Sequence, residues 1–336
     1  TFQNLNSANQ GTAANPIAGT VDYGATADGQ AVYGLYYTRL VLTGGTKSVQ
    51  DGVHISGTAC ANPLATYPDL ATYPYYESVT NVNYTGTFYF IGTGTGTQTI
   101  YPQYSASGGQ PNNYNVLELS GGGPKDIAAG DEVGATTINS VAGTNLNIAG
   151  ILNIGDGPST FNGEVTLNNV AAELNVQNGN VTFVDDITVT NGTLAVVGTG
   201  DAIVGANSTL TLAGNNSIVT LNPNTDLVIT GSFVNSGNGQ NLNFDCASTV
   251  TYNGTQNPQT ILPTISTNTY GNLTMTGGAK LGGTATYGQD VYLCGNFALT
   301  GGNLNMYANA GAVYMTSLTA TATYGGGTGN EEVEGR

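Results

Sequence analysis

The chain has 336 residues, of which 50 are glycine and 8% are charged, and 21 acidic against five basic residues give a formal net charge of −16. Five cations cannot form the basic patch that binds a nucleic acid or an anionic bilayer, so we expect neither partner. No apolar run of about 18 residues offers a membrane-spanning helix. The 20 tyrosines and many β-branched residues favour an ordered, β-rich protein over a disordered one.

The first 20 residues are polar, prone to turns and almost without apolar periodicity. Two interpretations are open: a loose terminal arm, or a segment that becomes ordered by adding as a strand to the sheet edge of a neighbouring copy. In the second case the residues that join the copies are expected to be Thr1, Phe2, Leu5 and Ile17. Because the chain begins without Met or a signal-peptide pattern, we expect a mature product whose leader was removed.

One phrase occurs three times, at 37–47, 114–125 and 270–280. Each copy has a tyrosine, apolar residues three and five positions later, a hydroxyl residue, a glycine turn and a lysine. The lysines are Lys47, Lys125 and Lys280, the only ones in the chain. They are interpreted either as solvated turn residues with packed stems or as ties within each module, through an ion pair or a covalent Lys–Asn/Asp bond.

Residues 21–134 are expected to form N-terminal β repeat modules. The second copy of the phrase follows Gln-Thr-Ile-x-Pro at 98–102, as the third follows it at 259–263, so the repeat is larger than the phrase. A Pro-rich insertion at 61–82 separates the first two modules. Its tyrosines form either a contact loop, with glycans as a candidate ligand, or a loop packed on its own domain. These tyrosines are Tyr67, Tyr73, Tyr75 and Tyr76.

Residues 135–246 consist of short alternating segments separated by Gly, Asn and Asp turns. Segments of three or four residues with a turn every 6–12 are too short for ordinary sandwich strands. They suit a parallel β-helix, in which each coil contributes short strands to the faces of a prism. The predicted fold class is therefore all-β, with a parallel β-helix or β-solenoid-like centre and flanking β-rich repeat modules.

The remaining chain is predicted to contain a C-terminal β repeat module at 247–330 and a solvated acidic tail at 331–336. Three cysteines are too few for a disulfide scaffold. Their spacing leaves two alternatives: one disulfide between Cys246 and Cys294 with Cys60 left over, or three buried thiols.

Val-Thr-Tyr-Asn-Gly at 250–254, Gln-Thr-Ile at 259–261 and Tyr-Gly-Asn-Leu-Thr-Met at 270–275 resemble repeat modules of large bacterial cell-surface and adhesin-type proteins. The resemblance covers about two thirds of the chain and implies Gly/Asn/Thr-rich β-solenoid stalks without chemistry of their own. No functional residue is carried over by it. This chain is shorter than the multi-module adhesins and has no recognisable sorting domain, which favours a self-assembling subunit over a long stalk.

Catalytic and metal-binding patterns are weak. Asp185 and Asp186 are adjacent, so in a strand they would point to opposite faces and could not both line a cleft; we interpret them as surface turn acids. His54 is the only histidine and no nucleophile elbow accompanies it. No cofactor is predicted; Ca²⁺ is the least implausible metal, although no calcium-loop motif occurs.

We therefore expect a secreted, non-enzymatic structural subunit of an extracellular filament or surface assembly, with copies of itself as its partner. The alternatives are a carbohydrate-binding surface adhesin or stalk, and a β-helix polysaccharide lyase or hydrolase.

Overall fold

A computed structural model gives the fold for the following residues: 17–23, 30–33, 35–42, 47–49, 53–55, 82–84, 87–90, 97–100, 113–236, 241–256, 258–282, 290–301, 304–305, 312–316 and 322–324. The described residues contain 31 strands and no helix. The predicted all-β fold class is confirmed.

The strands before residue 130 are β1 Ile17–Tyr23, β2 Gln30–Val32, β3 Tyr36–Leu42, β4 Lys47–Val49, β5 Val53–Ile55, β6 Val82–Tyr84, β7 Thr87–Phe90, β8 Gln98–Thr99, β9 Asn113–Leu119 and β10 Lys125–Ile127. Those from 130 to 236 are β11 Glu132–Ser140, β12 Leu146–Ile148, β13 Ile151–Ile154, β14 Ser159–Phe161, β15 Val165–Val176, β16 Val181–Phe183, β17 Ile187–Val196, β18 Asp201–Val204, β19 Thr209–Leu221, β20 Asp226–Ile229 and β21 Ser232–Asn235. The remainder are β22 Leu242–Phe244, β23 Thr249–Tyr252, β24 Gln259–Ile261, β25 Asn272–Met275, β26 Lys280–Gly282, β27 Val291–Leu293, β28 Phe297–Leu299, β29 Leu304–Asn305, β30 Val313–Met315 and β31 Ala322–Tyr324.

Every pairing between these strands is parallel, which identifies a β-solenoid. Each coil passes over three faces in a fixed order. In one coil, 173–176 lies on face 1, β16 on face 2 and 187–189 on face 3. The next coil repeats the order with 193–196, β18 and 210–212.

Face 2 carries an uninterrupted ladder that we call the face-2 ladder. Its 14 strands, each paired with the next, are β1, β3, β5, β7, β9, β11, β14, β16, β18, β20, β23, β25, β28 and β31. The boundary predicted between residues 134 and 135 falls inside β11, and the one between 246 and 247 falls in the corner between β22 and β23. The ladder continues across both.

The core lies inside the prism and follows from the alternation of apolar and polar residues. In β16, for example, Val181 and Phe183 are fully buried while Thr182 between them is half-exposed. Equivalent inward residues stack from coil to coil, and the rings of Phe161 and Phe183 lie parallel with centroids 5.5 Å apart. Short strands of three or four residues thus share one continuous core along the solenoid.

In the second and third copies of the phrase, the glycine turn is a corner between faces 2 and 3. Gly121 and Gly122 have φ values of 89° and 71°, and Gly277 in the third copy has φ of 80°. Side chains rarely tolerate this left-handed region, so glycine lets the chain turn sharply after the face-2 strand.

Candidate functional site

The lysine of the third phrase points into the solenoid. Lys280 is fully buried, and its Nζ donates hydrogen bonds to the carbonyl oxygens of Gly254, at 2.8 Å, and Gly278, at 3.1 Å. Gly254 belongs to the preceding coil, so the side chain ties two successive corners together through hydrogen bonds. Burial lowers the pKa of this amine.

Lys125 occupies the equivalent position in the second phrase. It is fully buried, and its Nζ donates to the carbonyl oxygen of Gly123 at 2.9 Å. Both side chains therefore differ from the solvated turn lysine that was one sequence interpretation. The backbone of Lys47 lies in β4, but its side chain is outside the described residues.

A signal for this orientation exists in the sequence. Lys125 precedes buried Ile127 by two residues, and β10 shows the alternating burial of a strand with its lysine inward. The same two-residue spacing separates Lys47 from Val49. Period-two alternation therefore places Lys125 on the core side, although buried lysines are rare.

The glutamine of Gln-Thr-Ile-x-Pro is a second buried polar side chain. Gln259 donates from Nε2 to the carbonyl oxygens of Ile229, at 2.9 Å, and Gly231, at 2.8 Å, and its Oε1 accepts from the N–H of Gly254 at 3.0 Å. A Cβ on Gly254 would meet the carbonyl oxygen of Thr230 and lie 2.8 Å from Nε2 of Gln259, so a larger residue would clash with the backbone as well as with this side chain. Gln259 thereby bonds backbone groups at the corner, among them the Gly231 carbonyl and the Gly254 N–H.

The tyrosine that opens the third phrase completes this interior network. Tyr252 and Tyr270 are fully buried with their hydroxyl oxygens 2.9 Å apart. Tyr270 donates to the carbonyl oxygen of Leu262 at 2.7 Å, and the Leu262 N–H donates to the Tyr252 hydroxyl at 3.1 Å. Burial raises the pKa of Tyr252 to about 12 and that of Tyr270 well above its ordinary value. These hydrogen bonds therefore hold the irregular segment after β24 in place. Both tyrosine hydroxyls remain protonated at neutral pH.

We expect Tyr270→Phe to lower the free energy of unfolding by about 1–3 kcal/mol, because the carbonyl of Leu262 would lose its buried donor. Tyr292→Phe is the matched control. Tyr292 lies half-exposed on face 1 with its ring stacked on Tyr314, and its substitution should cost less than about 0.5 kcal/mol. Denaturant unfolding of both variants measures the difference; equal effects would contradict the network's role.

A pH effect follows from the buried lysine of the second phrase. Burial lowers the pKa of Lys125 from 10.5 to about 8, so between these values the unfolded chain binds a proton that the folded chain has released. Stability should therefore rise with pH from about 8 to 10.5 by more in the native chain than in Lys125→Met. Unfolding both proteins across this range tests the sign. A smaller rise in the native chain would contradict the assignment.

A disulfide joins Cys246 to Cys294, with the Cα atoms 5.3 Å apart and a sequence separation of 48. Both lie at corners between faces 1 and 2, but two coils apart. The intervening coil turns there with Gly271 alone between Tyr270 and β25, whereas four residues separate β22 from β23. This short corner leaves the space that the disulfide crosses. Cys60 is outside the described residues.

Asparagine ladders cover the outside of face 1. Asn153 donates from Nδ2 to Glu132 Oε1 at 2.8 Å, and Asn175 donates to Asn153 Oδ1 at 2.9 Å. On face 2, Asn139 donates to Glu118 Oε1 at 2.8 Å. Asn175 and Asn139 thus bond the residue opposite them one coil away, whereas Asn153 reaches Glu132, two residues before its opposite residue Gly134.

The adjacent acids singled out in the sequence are solvent-exposed at the corner before face 3. Asp186 Oδ1 accepts from the N–H of Thr209 at 2.7 Å, and Asp185 Oδ1 accepts from the N–H of Asp186 at 2.9 Å. Both carboxylates thus cap the backbone of turns. Among the described residues, no group of three or more His, Cys, Asp or Glu side chains could hold a metal ion. No described segment is a helix long and apolar enough to cross a bilayer.

Charge is distributed unevenly between the surface and the interior. Residues 113–282 contain 12 acidic residues and only two basic ones, Lys125 and Lys280. Since both lysines are fully buried, the solvent-facing sides of this part of the solenoid carry carboxylates and no basic side chain.

The two ends of the face-2 ladder are open strand edges within the described residues. β1 pairs only with β3, and β31 pairs only with β28. Of the residues expected to join copies, Ile17 begins β1, is buried and lies opposite Tyr37. Thr1, Phe2 and Leu5 are outside the described residues, as are Tyr67, Tyr73, Tyr75 and Tyr76 of the predicted contact loop.

Comparisons with known proteins give no relative: no family model matches the chain, and neither does any curated protein or solved structure. The solenoid fold is thus established by the structure alone.

Proposed function

We propose that this chain is a structural, non-enzymatic subunit of an extracellular filament or surface assembly, and that it binds copies of itself through the strand edges of its coil stack. The observation that carries the proposal is the open edge at each end of the face-2 ladder. An unpaired strand edge exposes N–H and C=O groups that another chain can bind, and contacts between different ends of identical subunits give open fibres.

Two further features support this function. The interior polar groups Lys280, Gln259 and Tyr270 bond backbone atoms of neighbouring coils, which suits a load-bearing role better than a reaction. The disulfide between Cys246 and Cys294 supports an oxidising compartment such as the cell exterior.

The test is assembly of a variant that lacks residues 1–16, followed by negative-stain electron microscopy. We expect the full chain to form filaments and the variant to remain monomeric, because residues 1–16 are proposed to add as a strand to the open edge of a neighbouring copy, and that edge has no other partner strand among the described residues. Hydrogen exchange over 113–236 checks that the variant is folded. The control is Asp185→Ala with Asp186→Ala, which changes only exposed corner acids and should assemble normally. Filaments formed equally well without residues 1–16 would refute this joining mode.

A further inference from the structure

Two tyrosines lie opposite each other on the outside of face 1. Tyr292 is the middle residue of β27 and Tyr314 is the middle residue of β30, and the two strands pair in parallel with these residues in register. Their rings are nearly parallel, with an interplanar angle of 13° and centroids 4.6 Å apart. Both side chains are half-exposed, whereas the flanking Val291 and Val313 are buried. The stack is therefore anchored by the core beneath it and open to solvent above.

Hydrogen bonds fix the position of Tyr292. Its N–H donates to the Thr264 hydroxyl at 2.6 Å, and the same hydroxyl donates to its carbonyl oxygen at 3.0 Å. Its phenolic hydroxyl makes a long hydrogen bond of 3.5 Å to Asp290 Oδ2. The other oxygen of that carboxylate accepts from the N–H of Ala312 at 3.1 Å, so Asp290 is anchored to the coil that carries Tyr314. A proton acceptor thus lies beside one ring of the stack.

A parallel, exposed pair of phenols has the arrangement that oxidative coupling needs. Loss of one electron and the phenolic proton converts a tyrosine to a neutral radical, whose unpaired electron is spread over the oxygen and the ring carbons ortho to it. When two such radicals face each other, a carbon–carbon bond forms between an ortho carbon of each ring. These two carbons then lose their hydrogens as protons, and the oxygens regain them. The net change is the loss of two protons and two electrons.

We propose that Tyr292 and Tyr314 are the site of a dityrosine crosslink, formed by hydrogen peroxide acting through a peroxidase. Peroxide takes up the two electrons and two protons and becomes two molecules of water. Asp290 receives the phenolic proton of Tyr292 as the electron leaves. The inference is independent of self-association and shares with the proposed function only the oxidising exterior that the disulfide supports.

The crosslink extends the covalent joining of coils that the disulfide begins. Cys294 follows Tyr292 by two residues and is bonded to Cys246, while Tyr314 lies one coil further along the chain. The two bonds together connect the coils from Cys246 to Tyr314. Because each coil of a solenoid contacts only its neighbours, the second bond stabilises the coil of Tyr314, which the disulfide does not include.

A buried pair of tyrosines provides an internal comparison. Tyr252 and Tyr270 have their hydroxyl oxygens only 2.9 Å apart, but their rings are nearly perpendicular, at 83°, with centroids 6.4 Å apart. Both are fully buried. Their ring faces do not overlap and an oxidant in solvent does not reach them. We therefore expect coupling of the exposed pair and none of the buried pair.

The test oxidises the full chain, diluted so that it stays monomeric, with hydrogen peroxide and a peroxidase. After reduction of the disulfide and digestion with thermolysin, tandem mass spectrometry should find the peptide of Tyr292 joined to that of Tyr314, with two hydrogen masses lost. Tyr292→Phe and Tyr314→Phe should each lose this linked peptide. Tyr33→Phe, which changes a tyrosine that is 52% exposed elsewhere, should retain it.

Asp290→Asn tests the proton acceptor. The amide oxygen can still accept from the N–H of Ala312, so the ring stack should remain while the yield of the linked peptide falls. An unchanged yield would show that the carboxylate takes no part in the coupling.

Linked peptides that involve other tyrosines but not this pair would overturn the proposal, as would equal coupling of Tyr252 with Tyr270. Neither result bears on the filament function, which is tested separately by electron microscopy of Tyr292→Phe. This variant cannot form the crosslink and should still assemble.

Discussion

Replacing both Cys246 and Cys294 with serine should lower the free energy of unfolding by about 4 kcal/mol. The bond closes a loop with a sequence separation of 48, and the loss of loop-closure entropy in the unfolded chain has this magnitude for such a length. In a solenoid the effect is local, because each coil contacts only its neighbours. Amide hydrogen exchange should therefore accelerate most at Val250, Leu273 and Val291, within or beside the crosslinked coils.

Two controls distinguish the effect of losing the disulfide bond from the effect of replacing the cysteine side chains. Cys60→Ser should leave exchange at 250–293 unchanged, and the native chain under reducing conditions should behave like the double variant. If the double variant retained native exchange rates in these coils, the disulfide would have no stabilising role.

Phe183→Ala should cost about 4 kcal/mol. Phe183 is fully buried on face 2 and its ring stacks on Phe161, so truncation removes both its transfer free energy and an aromatic contact, and leaves a cavity. The coils on either side share this core. We expect exchange to accelerate at β14, β16 and β18, with weaker effects further along the ladder.

The neighbouring residue is a matched control. Val184 is 46% exposed just after the same strand, and Val184→Ala should change stability by less than about 0.5 kcal/mol. Similar losses from the two substitutions would show that the strand's alternation does not decide what is buried.

Much of the central fold could be predicted because apolar and polar residues alternate along its short strands. Segments such as Val181-Thr-Phe183 and Leu227-Val-Ile229 place apolar residues two apart between Gly and Asn turns, and these positions are buried in the structure. The turns recur too often to leave room for longer strands, and this spacing indicated a parallel β-helix. The three-faced order and the continuity of the ladder depend on pairings between residues about 22 apart, which no local pattern specifies.

The interior polar network was harder to predict from the sequence. Lysine and glutamine are usually solvated, so the turn after β25 favoured an exposed interpretation of Lys280. Its burial depends on the carbonyl of Gly254, 26 residues earlier, which only the stacking of coils brings within hydrogen-bonding distance. In the third copy of the phrase, a tyrosine before β25 holds the segment that follows β24, and after β25 glycine forms the turn and a lysine binds backbone carbonyls.

The sequence left a disulfide and three buried thiols as alternatives, because the separation of two cysteines in sequence does not determine their distance in space. Cys246 and Cys294 approach each other only because the corner at Gly271 is short. The same limitation applies to assembly: the polar composition of residues 1–20 left a loose arm and a joining strand as alternatives, and the structure describes only their last four residues, as part of β1.

X-ray fibre diffraction from oriented native filaments tests the central claim most directly, namely that solenoid coils stack along the filament axis. The account predicts a strong reflection at about 4.8 Å on the meridian, because the strands would then lie across the axis. A 4.8 Å reflection on the equator would mean that the strands run along the filament, and it would contradict assembly through the ends of the ladder.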